Sequence, residues 1–320
     1  MTFAGSPERS EARLVPDAGF DFDPFDISGL PRRPGLALLR ALGQAAGAVR
    51  ACARILAARR PDVVLGGGGY VSGPMVLAAA RRHIPTALLE ADAYLGLANR
   101  LAAPLARRVF LSFPIEGRTG GKYRVTGRPI PARSQPVDRE AARRRFDLPA
   151  DGQVLLVFGG SQGARSLNEL AVDAFADDGQ LVLHLAGERD YPQLRERVDR
   201  PGYRLLPFTD DFGAALGASD LALARAGGSV WELAAAGVPA VLVPLPSATA
   251  DHQTLNARHF TQGGGAILVP ESELSAVPEL LRTLVTDTAR LGEMHAAMLR
   301  LARPGAAEEI AEELIALASA

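Results

Sequence analysis

The sequence predicts an α/β protein made of two doubly wound domains in tandem, and three observations carry that expectation. Short apolar runs recur along the chain: "PDVVLGGGG" (61–69), "PTALLEAD" (85–92), "RRVFLSFP" (107–114), "QVLLVFGG", "QLVLHLAG", "YRLLPF", "DLALARAGG" and "PAVLVPLP". Between them lie stretches of helical spacing, such as Leu36 to Ala58 and Arg139 to Phe146, and this alternation predicts parallel sheets covered by helices on both faces. Finally, 320 residues exceed the usual single core, and apolar periodicity lapses at 125–140, where prolines crowd with polar residues. The predicted boundaries are therefore a first domain over 1–130, a second over 131–302, and a closing amphipathic helix over 303–320 that packs back on the first.

Composition narrows the function classes. A hydrophobic fraction of 48% with 22% charged residues is that of a soluble globular chain, and a net charge of -1 excludes a nucleic-acid polyanion as the main partner. Cys52 is the only cysteine, so no internal disulfide or cysteine-built zinc site can form, and a small buried hydrophobe is expected there. The start "MTFAGSPERSEARL" has no apolar signal core, and no uncharged run reaches the ~18 residues of a membrane span. The expected location is cytosolic, at most peripheral to a membrane.

Three glycine turns follow predicted strands: "GGGGYVSGP" from Gly66, "GGSQG" from Gly159, and "ARAGGSVWE" around Gly227 and Gly228. In doubly wound sheets, ligands sit outside the carboxyl ends of the strands, where such turns meet helix starts. At "GGSQGARSLN", Gly160, Ser161, Gln162 and Gly163 offer backbone N–H groups and a hydroxyl to an anion. The motif lacks the Lys-Ser/Thr of a P-loop and the Gly-x-Gly-x-x-Gly spacing of a dinucleotide site, which leaves a diphosphate or a purely structural turn.

Ser229 and Glu232 have the spacing of a helix capping box, yet a carboxylate at a helix start also suits the two hydroxyls of a ribose. "PLPSATADHQTLNA" groups Asp251, His252, Gln253 and Asn256 at a helix start, a set better suited to a sugar than to a metal. Glu90 and Asp92 end an apolar strand and are candidates for base or hydroxyl-orienting work, or for capping the next helix. In "SGLPRRPGLALLR", Leu30, Leu36, Leu38 and Leu39 stand beside Arg32, Arg33 and Arg40, a composition that fits either an anionic bilayer surface or an ordinary surface helix.

The order and wording of these motifs resemble the MurG glycosyltransferases, across "EARLVPDAGF", "SGLPRR", "RPDVVLGGGGYVSGPMVLAA", "LGLANR", "VTGRPIP", "GGSQGARSLN", "RAGGSVWELAAAGVPAVLVPLP" and "DHQTLNA". The resemblance implies a GT-B fold, two Rossmann-like domains facing a cleft. It also implies inverting transfer of N-acetylglucosamine from UDP-N-acetylglucosamine to the C4 hydroxyl of a lipid-linked muramyl-peptide acceptor, with no obligatory metal or other cofactor, at the anionic inner leaflet on the cytoplasmic face of the membrane.

Carried over by position, the resemblance places the Ser161 loop at the donor diphosphate. It places the backbone at Phe208 and Thr209 at the uracil, Glu232 at the ribose, and Gln253 with His252 at the sugar. Gly67, Gly68, Gly69, Tyr70 and Ser72 would face the acceptor diphosphate. The chain also departs from the family. Met1 falls where the family's second strand begins, so the first domain is expected to lack its first βα unit and the glycine loop that ends in histidine. Asp92 stands where an asparagine is usual and Pro131 where an arginine is usual, with Arg128 and Arg133 as substitutes; Asn99 lies in the family-like "LGLANR". Weak or absent turnover is one expectation from these departures. A non-catalytic nucleotide-sugar binder and a GT-B transferase with another lipid acceptor are the alternatives.

Overall fold

The computed structural model describes residues 1–27, 36–160 and 163–319. The chain forms two compact units, Met1–Thr126 with Glu308–Ala320, and Gly127–Ala307. The first unit runs β1 (Thr2–Gly5), α1 (Glu11–Asp17), β2 (Asp21–Pro24), α2 (Leu36–Arg59), β3 (Val64–Gly66), α3 (Gly69–Arg81), β4 (Thr86–Glu90), α4 (Leu97–Ala102), β5 (Arg108–Leu111) and β6 (Tyr123–Val125). β1 and β2 pair in parallel, and β3-β4-β5-β6 form a second parallel sheet, with Gly66 opposite Leu88 and Glu90 opposite Leu111.

Parallel neighbours require crossover connections, and the crossover helices supply the apolar cover. Cys52 and Leu56 of α2 meet Val64, Ala78 and Ala79 in one cluster, while Val76, Leu88, Val109 and Leu111 form another. Cys52 is fully buried, and burial pushes its thiol up to about 12.

In the second unit the order is α5 (Arg139–Arg145), β7 (Val154–Phe158), α6 (Arg165–Phe175), β8 (Leu181–Leu185), α7 (Tyr191–Leu194), β9 (Tyr203–Leu206), α8 (Phe212–Gly217), β10 (Leu221–Ala224), α9 (Val230–Ala236), β11 (Ala240–Leu242), α10 (His252–Gln262), β12 (Ala266–Leu268), α11 (Val277–Thr286) and α12 (Thr288–Leu301). Its six strands make one parallel sheet in the order β12-β11-β10-β7-β8-β9. β7 and β10 lie at the centre and are buried along their whole length, as a two-face cover demands. On one face Leu155, Val157, Leu167, Val172 and Phe175 pack with Leu281 and Met294. At the amino ends of the strands the guanidinium of Arg143, only 1% exposed, donates to the carbonyls of Pro149, Gly152 and Ala218 and to Asp220. That arrangement closes the sheet end opposite the glycine turns.

The last helix, α13 (Ala306–Ala318), contributes its residues from Glu308 onward to the first unit. Ile310 and Leu317 pack with Ala87 and Phe110, and Glu313 accepts hydrogen bonds from Arg124 at 2.8 Å and Arg108 at 3.0 Å. These two guanidinium groups hold its carboxyl below the usual carboxylate range.

All eight apolar runs form strands. The runs do not anticipate β1, β2, β6 and β12, each only three or four residues long. β6 and β12 are edge strands, so half their surface stays wet and no continuous apolar run is needed.

Candidate functional site

The connections that follow β7, β9, β10, β11 and β12 all leave from the carboxyl edge of the second sheet. β7 and β10 are neighbours, with Phe158 opposite Ala224, so the turn after β7 and the loop after β10 lie side by side. In the turn, Gly160 and Gly163 have φ of 86° and 70°, and the Gly163 N–H donates to the Gly160 carbonyl at 2.9 Å. A Cβ on Gly163 would overlap the carbonyl oxygen of Ala186, whereas one on Gly160 would meet nothing. Gly163 is thus required by close packing on β8, while Gly160 leaves open space beside the backbone. Ser161 and Gln162 lie outside the described residues. α6 begins at Arg165, and its N-cap residue, Ala164, offers no side-chain acceptor to the first N–H groups of the helix.

α6 is held in place from beneath. Asn168 is fully buried and donates to the Ala186 carbonyl at 2.8 Å and to Asp190 at 3.1 Å. Its amide oxygen therefore faces His184 Nε2 at 3.0 Å and must accept, which leaves His184 Nδ1 to accept from the Tyr203 hydroxyl at 2.9 Å. Burial pushes the His184 imidazole down to about 3, so the ring stays neutral.

Arg225, 8% exposed, is the hub between these loops and was not singled out from the sequence. Its two terminal nitrogens form a fork on Glu271 at 2.7 and 3.0 Å, reach Ser166 Oγ in the first turn of α6 at 2.9 Å, and donate to the carbonyls of Val243 and Pro244 after β11. The hydrogen bond from Arg225 holds the Glu271 carboxyl below its usual range, against its partial burial. The one hint in the sequence is an arginine directly following the apolar run of β10. Its partners lie 46 and 59 residues away, and no local pattern joins them.

The capping-box alternative for Ser229 and Glu232 does not hold: Ser229 takes a helical backbone conformation and its side chain caps nothing. Glu232 stands half-buried in the first turn of α9, and among the described residues its carboxylate has no hydrogen-bond or ion-pair partner. α9 is fixed by its neighbours. Trp231, 1% exposed, meets Phe260 edge-on with centroids 5.2 Å apart, and buried Asn256 donates to the Ala226 carbonyl at 3.1 Å. Asn256 therefore supports the Gly227–Gly228 loop from the interior, contrary to its expected place among the sugar-facing amides.

His252 and Gln253 open α10. Ala250 and Asp251 just before them both have φ of 53°, a conformation that disfavours side chains other than glycine's. This bend lets the Gln253 side-chain oxygen accept from Leu245 N–H at 2.9 Å, and His252 Nδ1 lies 2.8 Å from the Thr249 carbonyl, which makes Nδ1 the protonated nitrogen. Phe208, 53% exposed, and Thr209 follow the edge strand β9. Phe212 at the start of α8 packs edge-on against Phe158 at 5.2 Å, so the connection carrying them turns back toward the end of β7.

The first unit has its own cluster at the end of β3 and β4. Gly68 and Gly69 turn with φ of 89° and 68°, and a Cβ on Gly68 would stand 3.5 Å from the Asn99 amide nitrogen. Gly67 is open, Tyr70 accepts a hydrogen bond from Arg9 at 3.2 Å, and buried Ser72 donates its proton to the Gly69 carbonyl. Glu90, 7% exposed, accepts from Asn99 and Gly96 N–H at 2.9 Å and from Asp92 N–H at 3.3 Å. It shapes the loop that presents half-buried Asp92. The segment from Leu30 to Arg33 lies outside the described residues, as do the side chains of Leu36, Leu38, Leu39 and Arg40.

Residues 2–111 match the glycosyltransferase family 28 N-terminal domain and residues 154–311 the family 28 C-terminal domain. A UDP-N-acetylglucosamine--N-acetylmuramyl-(pentapeptide) pyrophosphoryl-undecaprenol N-acetylglucosamine transferase of Salinibacter ruber is 40% identical, covering 99% of this chain and 88% of that protein. A protein of the same description from Halorhodospira halophila is 40% identical over 97% of this chain and 88% of its own length. The crystal structure of Acinetobacter baumannii MurG superposes with a TM-score of 0.79 at 29% identity, covering 98% of this chain and 90% of that one.

Proposed function

The chain belongs to the MurG family of glycosyltransferases, and from that premise we propose that it moves N-acetylglucosamine from UDP-N-acetylglucosamine to the C4 hydroxyl of a lipid-linked muramyl-peptide acceptor. The observation that carries the donor side is the half-buried carboxylate of Glu232, without a hydrogen-bond or ion-pair partner among the described residues, in the helix that follows the glycine loop of β10, the strand paired with β7. A carboxylate that accepts only can take both hydrogen bonds of a ribose diol, while the Gly160–Gly163 and Gly227–Ser229 backbones meet the diphosphate. Phe208 and Thr209 take the uracil by their backbone, and His252 and Gln253 take the sugar.

The chemistry is a single displacement. The acceptor oxygen bonds to sugar C1, the bond from C1 to the β-phosphate oxygen breaks, and its electron pair leaves with UDP, inverting C1. Backbone N–H donors preorganised toward that oxygen stabilise the charge as it develops. The acceptor proton goes to Asp92, which Glu90 positions through the Asp92 N–H, and Gly67 to Tyr70 attend the acceptor diphosphate.

Among the described residues no helix is long and apolar enough to cross a membrane. We place access to the lipid-linked acceptor at the surface of α4. Leu97, Leu101 and Leu105 lie 52%, 64% and 44% exposed at successive helical spacings, with exposed Arg100 and Arg107 beside them, a combination that suits an anionic leaflet.

Calorimetric titration with UDP-N-acetylglucosamine, followed by transfer of radiolabelled sugar to the lipid-linked acceptor, tests this reading. Glu232→Ala is expected to weaken donor binding by about tenfold or more, the worth of a charge-assisted pair of hydrogen bonds. Donor affinity indifferent to Glu232 would contradict the assignment.

A further inference from the structure

The helix that carries Glu232 is short, and a side chain from a distant helix ties its far end. α9 spans seven residues, too few for its own hydrogen bonds to hold it, so its place is set by what it touches. Val230, Trp231, Leu233 and Ala234 are buried and fix how deep it lies. Apolar contact of this kind is non-directional, and it leaves slide and tilt open.

Direction comes from the C-terminal end. Gly237 closes the helix with φ of 67°, and its carbonyl accepts from His295 Nδ1–H at 2.6 Å, across 58 residues of sequence. The imidazole lies against the same glycine, where an added Cβ would stand 2.5 Å from Cε1 and 2.6 Å from Nδ1. Glycine at 237 thus serves both the left-handed closure of the helix and the seat of the ring. This end of α9 also borders an open cleft of about 360 Å³, lined in addition by Arg139, Thr288 and Gly292, so close packing does not confine it on that side.

We propose that His295 is a positioning residue for the donor: acting through Gly237 and α9, it holds the Glu232 carboxylate where both ribose hydroxyls reach it. The role rests on the donor reading above. The hydrogen bond from His295 stops the helix end from moving into the cleft. A seven-residue helix, roughly 10 Å long, moves as one piece, so a shift at Gly237 is carried to Glu232. Because β10 and β11 are parallel, α9 runs from the carboxyl edge of the sheet to its amino edge, and His295 stands at the edge opposite the glycine turns. His295 is exposed on α12, so its replacement leaves the buried face of α9 in place.

The test compares UDP with 2′,3′-dideoxy-UDP, which lacks the diol that Glu232 takes. Calorimetric titrations of the full chain are run on wild type, His295→Ala and His295→Asn, whose amide N–H donates from about the place of Nδ1. Expected is UDP binding weaker by about three- to tenfold in His295→Ala, unchanged affinity for the dideoxy nucleotide, and UDP affinity restored in His295→Asn. Unchanged UDP affinity in His295→Ala overturns the role. So does an equal loss for both nucleotides, which would mean a general disturbance of the unit, or a His295→Asn variant as weak as His295→Ala. A wild type that binds the two nucleotides equally, or does not bind UDP, overturns the donor reading itself and this role with it.

Discussion

At the scale of residues, two glycines of one turn do different work, and the difference is measurable. Both Gly160 and Gly163 have positive φ, but only Gly163 packs its Cα on a backbone oxygen, that of Ala186. Gly163→Ala is expected to cost about 2–5 kcal/mol, the left-handed penalty plus the displacement of β8, whereas Gly160→Ala carries only the ~1–2 kcal/mol backbone term. Urea denaturation of the two variants checks this, and equal costs would contradict the packing role of Gly163. The glycines themselves are legible in the sequence; which one is packed and which is open is not, because Ala186 arrives from another strand. Asn256 shows the same limit. Its helical spacing from His252 places the two on one side of α10, yet Asn256 is fully buried while His252 is half-exposed.

At the scale of elements, buried polar ties anchor the helices that follow the glycine turns, and they make the second unit sensitive to acid. His184 holds α6 to β8 through Asn168 and is neutral when folded, with its titration pushed down to about 3 by burial. In the unfolded chain the same imidazole takes a proton near pH ~6.5. The unfolded state therefore binds more protons throughout that window, and stability present above pH ~6.5 falls as the pH drops, by up to ~1.4 kcal/mol per pH unit. His259, whose titration is also lowered by burial, acts in the same direction.

Glu271 adds a loss at lower pH. Its folded value is depressed by Arg225, so its contribution is present above the usual carboxylate range and disappears as pH falls through the depressed value. Chemical denaturation of wild type between pH 8 and 4 is expected to show the decline beginning near pH 6.5, with Glu271→Gln less stable at neutral pH and its decline shallower at the acid end. A flat profile from pH 7 to 5 would contradict the buried neutral His184. At this scale the apolar runs were enough to place the central strands. The ties between elements were not legible, since Arg225, Ser166 and Glu271 come from three separate connections and meet only once the sheet has formed.

At the scale of the whole molecule, the two units carry separate natural probes. Cys52 is the only cysteine and lies fully buried in the first unit; Trp231 is the only tryptophan and lies buried in the second, one residue before Glu232. The thiol is unreactive while the first unit is folded, because burial suppresses its thiolate. The tandem α/β organisation was legible from composition and run spacing, and the family from the wording of its motifs. Which unit holds the nucleotide is the claim on which the functional account depends, and ligand linkage addresses it: a ligand bound to one folded unit stabilises that unit by RT ln(1 + [L]/Kd), about 2.7 kcal/mol at a hundredfold excess over Kd.

The most direct measurement is urea unfolding of the full chain with and without saturating UDP-N-acetylglucosamine, following Cys52 labelling and Trp231 fluorescence in the same samples. The account predicts that the donor shifts the Trp231 transition to higher urea, and that Glu232→Ala, at the same donor concentration, reduces the stabilisation by about half or more. A donor that protects Cys52 while leaving the Trp231 transition where it was would contradict it.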